Sequence, residues 1–80
     1  MKPSVGYLVT INPADGWGAP WYELYRTKDH AENRVRNLAE RYELDLGHDS
    51  EGLRASNYAL EFDSYHRIAE VFITCMYYDD

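Results

Sequence analysis

The residues best able to do covalent chemistry are few. Cys75 with His30 or His66 would supply a thiol and a base, the pair that a thiol nucleophile needs. Cys75, however, lies within "VFITCMYY", in register with Val71 and Ile73, where cysteine behaves as a small buried hydrophobe. No neighbour in sequence offers a cation to lower its pKa. The chain contains no GxSxG, GxGxxG or GKS/T, the spacings that hydrolases, dinucleotide binders and phosphate loops require. No catalytic residue is expected, and the chain reads as a non-enzyme.

Metal chemistry has a slightly better outline. His48, Asp49 and Glu51 are close together, and Asp45, Asp49 and Glu51 partly imitate the odd-position ligands of a calcium loop. The imitation fails at Gly47, where an EF-hand needs an oxygen ligand, and at Ser56, where it needs a bidentate acid. Acids in glycine-containing loops are common without any ligand. The lone Cys75 rules out an intramolecular disulfide, and no Cys/His framework suggests zinc. Neither metal nor cofactor is expected.

The acids carry more meaning together. Glu40, Glu43, Asp45, Asp49 and Glu51 are interrupted by one base, Arg41, and Asp79 and Asp80 follow Tyr77 and Tyr78. With 14 acids against 8 Lys and Arg the net charge is −6. That argues against direct binding to nucleic acid, which needs a basic footprint to release counterions. It suits solubility, or a partner with a basic groove whose Lys and Arg otherwise hold phosphates.

Eighty residues make one domain, 1–80, near the low end of what folds alone. The 45% apolar and 28% charged content is that of a globular chain. Eight tyrosines are about three times ordinary usage. No run approaches the roughly 18 residues of a membrane span, and "MKPSVGYLVTINP" lacks the core and cleavage pattern of a signal peptide, so the expected location is the cytoplasm.

The elements that would position these residues follow from periodicity. "VGYLVTI" (Val5–Ile11) and "WYELYR" (Trp21–Arg26) alternate as two strands of a hairpin. Thr27 or Asp29 caps a helix, "KDHAENRVRNLAERY", with Glu32 at capping-box distance from Asp29. Ala31, Val35, Leu38, Ala39 and Tyr42 form its apolar stripe, while Glu32, Arg36 and Glu40 stand at pairing distance on the outside. "ELDLGHDSEG" reads as an acidic connection, "SNYALEF" as a third strand and "RIAEVFITCMYY" as a long fourth one, rich in side chains stiff or bulky at χ1. A helix over Ser64–Phe72 is the alternative for part of that last run.

The expectation is therefore an α+β fold: a four-stranded antiparallel sheet with one helix on one face (ββαββ). If Val5, Tyr7, Val9, Tyr22, Leu24, Leu60, Val71 and Ile73 face the helix, alternation sends Leu8, Trp21, Tyr25, Phe72, Met76 and Tyr78 to the far side. An uncovered antiparallel face is normally polar. An aromatic one of more than a few hundred Å² marks an interaction surface. The loop "NPADGWGAPW" adds Trp17 between stiffening prolines and permissive glycines, placed either as a lid on the sheet edge or as a contact anchor.

A small acidic chain with "WYELYRTKDHAENRVRNLAERY" as strand-into-helix resembles small phage-encoded inhibitors of the anti-CRISPR type. The resemblance lies in layout and charge, without a diagnostic motif, so no residue role transfers. It implies stoichiometric occlusion of a bacterial nucleoprotein complex, such as a CRISPR effector, in the host cytoplasm. Arg26, Arg34, Arg36 and Arg41 count against a pure DNA mimic. The expected partner-binding residues are Trp17, Trp21, Glu23, Tyr25, Glu43, Asp45, Asp49, Glu51, Phe72, Met76, Tyr78 and Asp79. The competing reading is a structural or regulatory subunit that homodimerises through the aromatic sheet face.

Overall fold

Alternation of β-branched and aromatic residues makes Ser4–Pro13 the strand β1 and Trp21–Tyr25 the strand β2, paired antiparallel with Tyr7 opposite Tyr25 and Ile11 opposite Trp21. The computed structural model describes residues 4–14, 18–57 and 67–78, with the backbone alone at Ser4, Val5 and Tyr78. The predicted helix forms as α1, Lys28–Tyr42. Of the two cap candidates it is Thr27 that closes the N-terminus, in extended conformation, its Oγ1 accepting from the His30 N–H at 3.2 Å. Asp29 lies inside the first turn, so no capping box forms with Glu32.

The C-terminus of α1 ends on Glu43 in left-handed conformation (φ 56°, ψ 49°), and the Leu44 N–H reaches back to the Ala39 carbonyl at 2.8 Å. This is the six-to-one bond of a Schellman end, usually built on glycine. Leu44 is buried and the chain leaves in a new direction.

The acidic connection is not a loop. Asp45–Asp49 forms β3 and Gly52–Ser56 forms β4, a hairpin whose last paired residues are Asp49 and Gly52. Asp49 Oδ1 accepts from the N–H groups of Glu51 and Gly52, at 2.9 and 3.2 Å, and Gly52 takes φ +138°. That side-chain bridge and the pairing to β4 override the poor strand propensity of Asp, Gly and His. The expected strand "SNYALEF" contributes only Ser56 to β4, and 58–66 lie outside the described residues. The long final strand forms as β5, Ile68–Tyr78, so its competing helical reading fails from Ile68 onward.

The fold is thus α+β with a five-stranded antiparallel sheet, ββαβββ, in the order β2-β1-β5-β4-β3. Four strands were expected, and the correction is the β3–β4 hairpin. One helix covers one face. Ala31, Val35, Leu38 and Ala39 pack onto Val9, Ile11, Leu53, Ala55, Val71 and Ile73, all at most 5% exposed, with Tyr7, Tyr25 and Tyr42 at the margin. Each large aliphatic in that layer contributes about 1.5–3 kcal/mol by burial. Cys75 follows Val71 and Ile73 in register but is only half-buried, because the core thins toward that end of β5. No described helix is long and apolar enough to cross a membrane.

Candidate partner-binding surfaces

Strand register decides which side chains the helix leaves uncovered. Val9 lies opposite Glu23 and Ile73, and Thr10 lies opposite Tyr22 and Phe72. Cross-strand partners share a face, so Trp21, Glu23 and Tyr25 belong to the helix side, while Tyr22 and Leu24 join Leu8, Thr10, Phe72, Thr74 and Met76 on the open side. The expected assignment of β2 is therefore inverted: Trp21 and Tyr25 are not on the open face. Phe72 and Met76 are there, half-buried among their neighbours, with Tyr22 and Leu24 the most open, at 61% and 59%.

The inversion has a physical cause at Glu23. Arg34 of α1 donates Nε to Glu23 Oε1 at 2.7 Å and Nη2 to Oε2 at 3.1 Å, a two-pronged charged bond. The Tyr25 hydroxyl donates to Oε1 at 2.7 Å and the Trp21 indole N–H to Oε2 at 3.3 Å. Each ring on the helix side has a polar tip that the carboxylate satisfies, with Tyr25 half-buried and Trp21 still 37% exposed. The Arg34 hydrogen bond holds the Glu23 carboxyl below its ordinary value against some desolvation, and burial followed by the Glu23 bond pushes the Tyr25 phenol up. Arg34 is raised in turn by Glu23. The helix ladder expected on the outside is absent: Arg36 bonds Asn33, and Glu32 turns to the sheet.

At the other end of the open face lies a polar corner. Glu70 accepts from Asn12 Nδ2 at 2.8 Å and from Arg54 Nη2 at 3.2 Å. The open face therefore divides into an aromatic half over β2, β1 and β5 and a paired, charged half over β4.

The acids separate into different roles. Asp45 and Asp49 are exposed on β3, the outer strand, beside Leu46 at 52% exposure. Asp49 also stabilises the turn, and Glu51 Oε2 accepts from the Cys75 N–H at 3.3 Å. Among the described residues the ion pairs are Arg34–Glu23 and Arg54–Glu70, so Asp45, Asp49 and Glu51 have no basic partner there. Glu43 serves the helix end. Trp17 and Asp79 lie outside the described residues, as does the side chain of Tyr78. No three His, Cys, Asp or Glu side chains converge as a metal-binding group among the described residues.

The structure thus brings together Asp45, Asp49 and Glu51 on one hairpin, and Trp21, Glu23 and Tyr25 around one arginine. It does not join the two groups. Tyr22, Leu24, Leu46 and Tyr77 are the exposed large apolar residues that the sequence reading missed, and Glu23 followed eleven positions later by Arg34 was the available signal for β2. Comparison with protein-family models, curated proteins and solved structures finds no match.

Proposed function

We propose that this chain is a non-catalytic, acidic protein-binding inhibitor that occludes a basic, nucleic-acid-binding surface of a bacterial nucleoprotein complex, as the anti-CRISPR proteins it resembles do. The observation that carries the reading is the β3–β4 hairpin. It holds Asp45, Asp49 and Glu51 exposed at one edge of the sheet without an ion-pair partner among the described residues. Asp49 and Glu51 also accept backbone hydrogen bonds, which leaves Asp45 as the acid wholly available to a partner. These carboxylates can meet arginine and lysine that otherwise hold phosphates, and a field of one sign speeds encounter. Leu46, 52% exposed, points to the opposite face of β3, that of its core partner Ala55, and is no part of this acidic surface.

The test is capture from a bacterial lysate with mass identification, followed by competition. The recovered protein should lose its nucleic acid when the inhibitor is added, and affinity should fall steeply from low to high salt. Asp45→Asn should weaken binding without changing the melting temperature. Salt-insensitive capture of a protein with no basic groove overturns the proposal.

A second reading, homodimerisation through the open sheet face, is favoured by Tyr22 and Leu24, which leave more than half their surface in solvent beside Leu8 and Phe72. Two copies meeting there would bury those side chains isologously. Light scattering separates the readings: a tight dimer abolished by Tyr22→Ser with Leu24→Ser supports the second, and a monomer at high concentration rejects it.

A further inference from the structure

We propose that the outer edge of β5, from Ile73 to Tyr77, is a strand-addition site for an extended, positively charged peptide segment of a partner protein. β5 is ladder-paired along its length with β1, from Tyr78 opposite Ser4 onward, but with β4 only at Val71 and Glu70. Beyond that point no further ladder pair joins the two strands among the described residues. The Leu53 N–H, which a continued ladder would aim at β5, goes instead to Glu32 Oε2 at 3.1 Å. The Cys75 N–H points away from β1 and is met by Glu51 Oε2 at 3.3 Å. Backbone groups alternate sides along a strand, so those of Ile73 and Tyr77 share the direction of Cys75. A carboxylate thus stands where a neighbouring strand would.

The gap is open. A cleft of about 400 Å³ borders this edge, lined by Tyr7, Lys28, Ser50, Glu51, Cys75 and Tyr77. At the other end of the cleft the hairpin closes in on the helix and on Ile73: a Cβ added at Gly52 would lie 3.1 Å from Lys28 Cε, 3.2 Å from Glu32 Oε2 and 3.8 Å from Ile73 Cδ1. The Glu51 bond is long and exposed, so an incoming carbonyl can replace it at small cost. Main-chain bonding of this kind supplies affinity in strand-addition complexes.

Charge sets the occupant. Displacing Glu51 frees its carboxylate beside the new strand, with Asp49 and Glu32 close by on the same hairpin and helix. Three acids against Lys28 favour a basic segment. A second copy of this chain, itself at −6, is disfavoured. The site shares Asp49 and Glu51 with the inhibitor reading but not Asp45, so Asp45→Asn separates the two.

The test uses the whole protein and a capped heptapeptide of alternating lysine and valine. Two controls are the same peptide N-methylated at alternate residues and a glutamate–valine version. Amide spectra and hydrogen exchange should show the lysine peptide shifting and protecting the amides of Cys75 and Tyr77 at least fivefold, and neither control doing so. Equal effects of the N-methylated peptide mean charge attraction alone and overturn strand addition. Perturbation confined to Tyr22 and Leu24, no perturbation at millimolar peptide, or the same shifts produced by raising protein concentration without peptide also overturns it. Glu51→Ala without peptide should speed exchange at Cys75; an unchanged rate removes the premise. Loss of binding by Asp45→Asn with this site intact would instead bear on the inhibitor reading.

Discussion

Replacing Glu23 by glutamine should destabilise the protein at neutral pH and hardly at all in acid. The carboxylate accepts both prongs of Arg34 and the tips of Tyr25 and Trp21. Glutamine keeps one acceptor oxygen but turns an NH₂ toward other donors, and the charge is lost. Hydrogen bonds to charged groups contribute about 1.5–3 kcal/mol when dry. The side chains of Arg34 and Glu23 are 32% and 24% exposed, which scales the pair toward the weaker surface range. A cost of about 1–2 kcal/mol follows, or about 4–16 °C in Tm for a domain of this size. Arg34 lowers the Glu23 pKa in the folded state, so the stabilisation is fully present above the unfolded value, about 4.3, and is lost as pH falls through the folded pKa. Urea melts from pH 7 to pH 2.5 should show the gap between wild type and Glu23→Gln closing below about pH 4. A double-mutant cycle with Arg34→Met should give coupling of at least about 0.5 kcal/mol. A gap that is pH-independent, or zero coupling, would refute the account of why β2 faces inward.

Other perturbations follow from the same geometry. Glu43→Gly relieves a left-handed residue and should raise stability by about 1 kcal/mol in thermal melts, less whatever Glu43's own interaction contributes. Gly52→Ala should cost about 1–3 kcal/mol by chemical denaturation, because φ +138° disfavours a Cβ that would also press on Lys28 and Glu32. Ser56 is 6% exposed and its hydroxyl has no hydrogen-bond partner among the described residues. Ser56→Ala should therefore be neutral or stabilise by up to about 1 kcal/mol, whereas Leu38→Ala, at the centre of the core, should cost about 2–5 kcal/mol in the same urea series.

The helix was legible to the residue, since its stripe of Ala31, Val35, Leu38 and Ala39 has one period and one solution. The long alternating strands β1 and β5 were legible for the same reason. The hairpin of β3 and β4 was not: "DLGHD" carries no alternation, and it becomes a strand only because Leu53 and Ala55 opposite it are anchored in the core. Asp49 at the start of the turn and Gly52 three residues later were a readable signal. The facing of β2 was misread because alternation fixes two faces but not which one is buried. Leu24 was the intuitive inward residue, yet a charged Glu23 with Arg34 above it won the position.

The candidate surface inherits that lesson, because acid content overstates what is free for a partner. Glu23 and Glu70 are held in ion pairs, Glu32 and Glu51 cap backbone amides, and Asp49 ties a turn. Those five shape the architecture, so removing them disturbs binding and folding together. Asp45 is different: it is exposed on the outermost strand opposite Ser56 and has no ion-pair partner among the described residues. Charge attraction to a basic partner, if it is the operative force, must therefore show in Asp45→Asn without a matching loss of stability. Glu23→Gln should show the reverse, since its carboxylate faces the helix and is already occupied. Opposite outcomes for these two single-charge changes separate a binding surface from a folding device where net charge alone cannot.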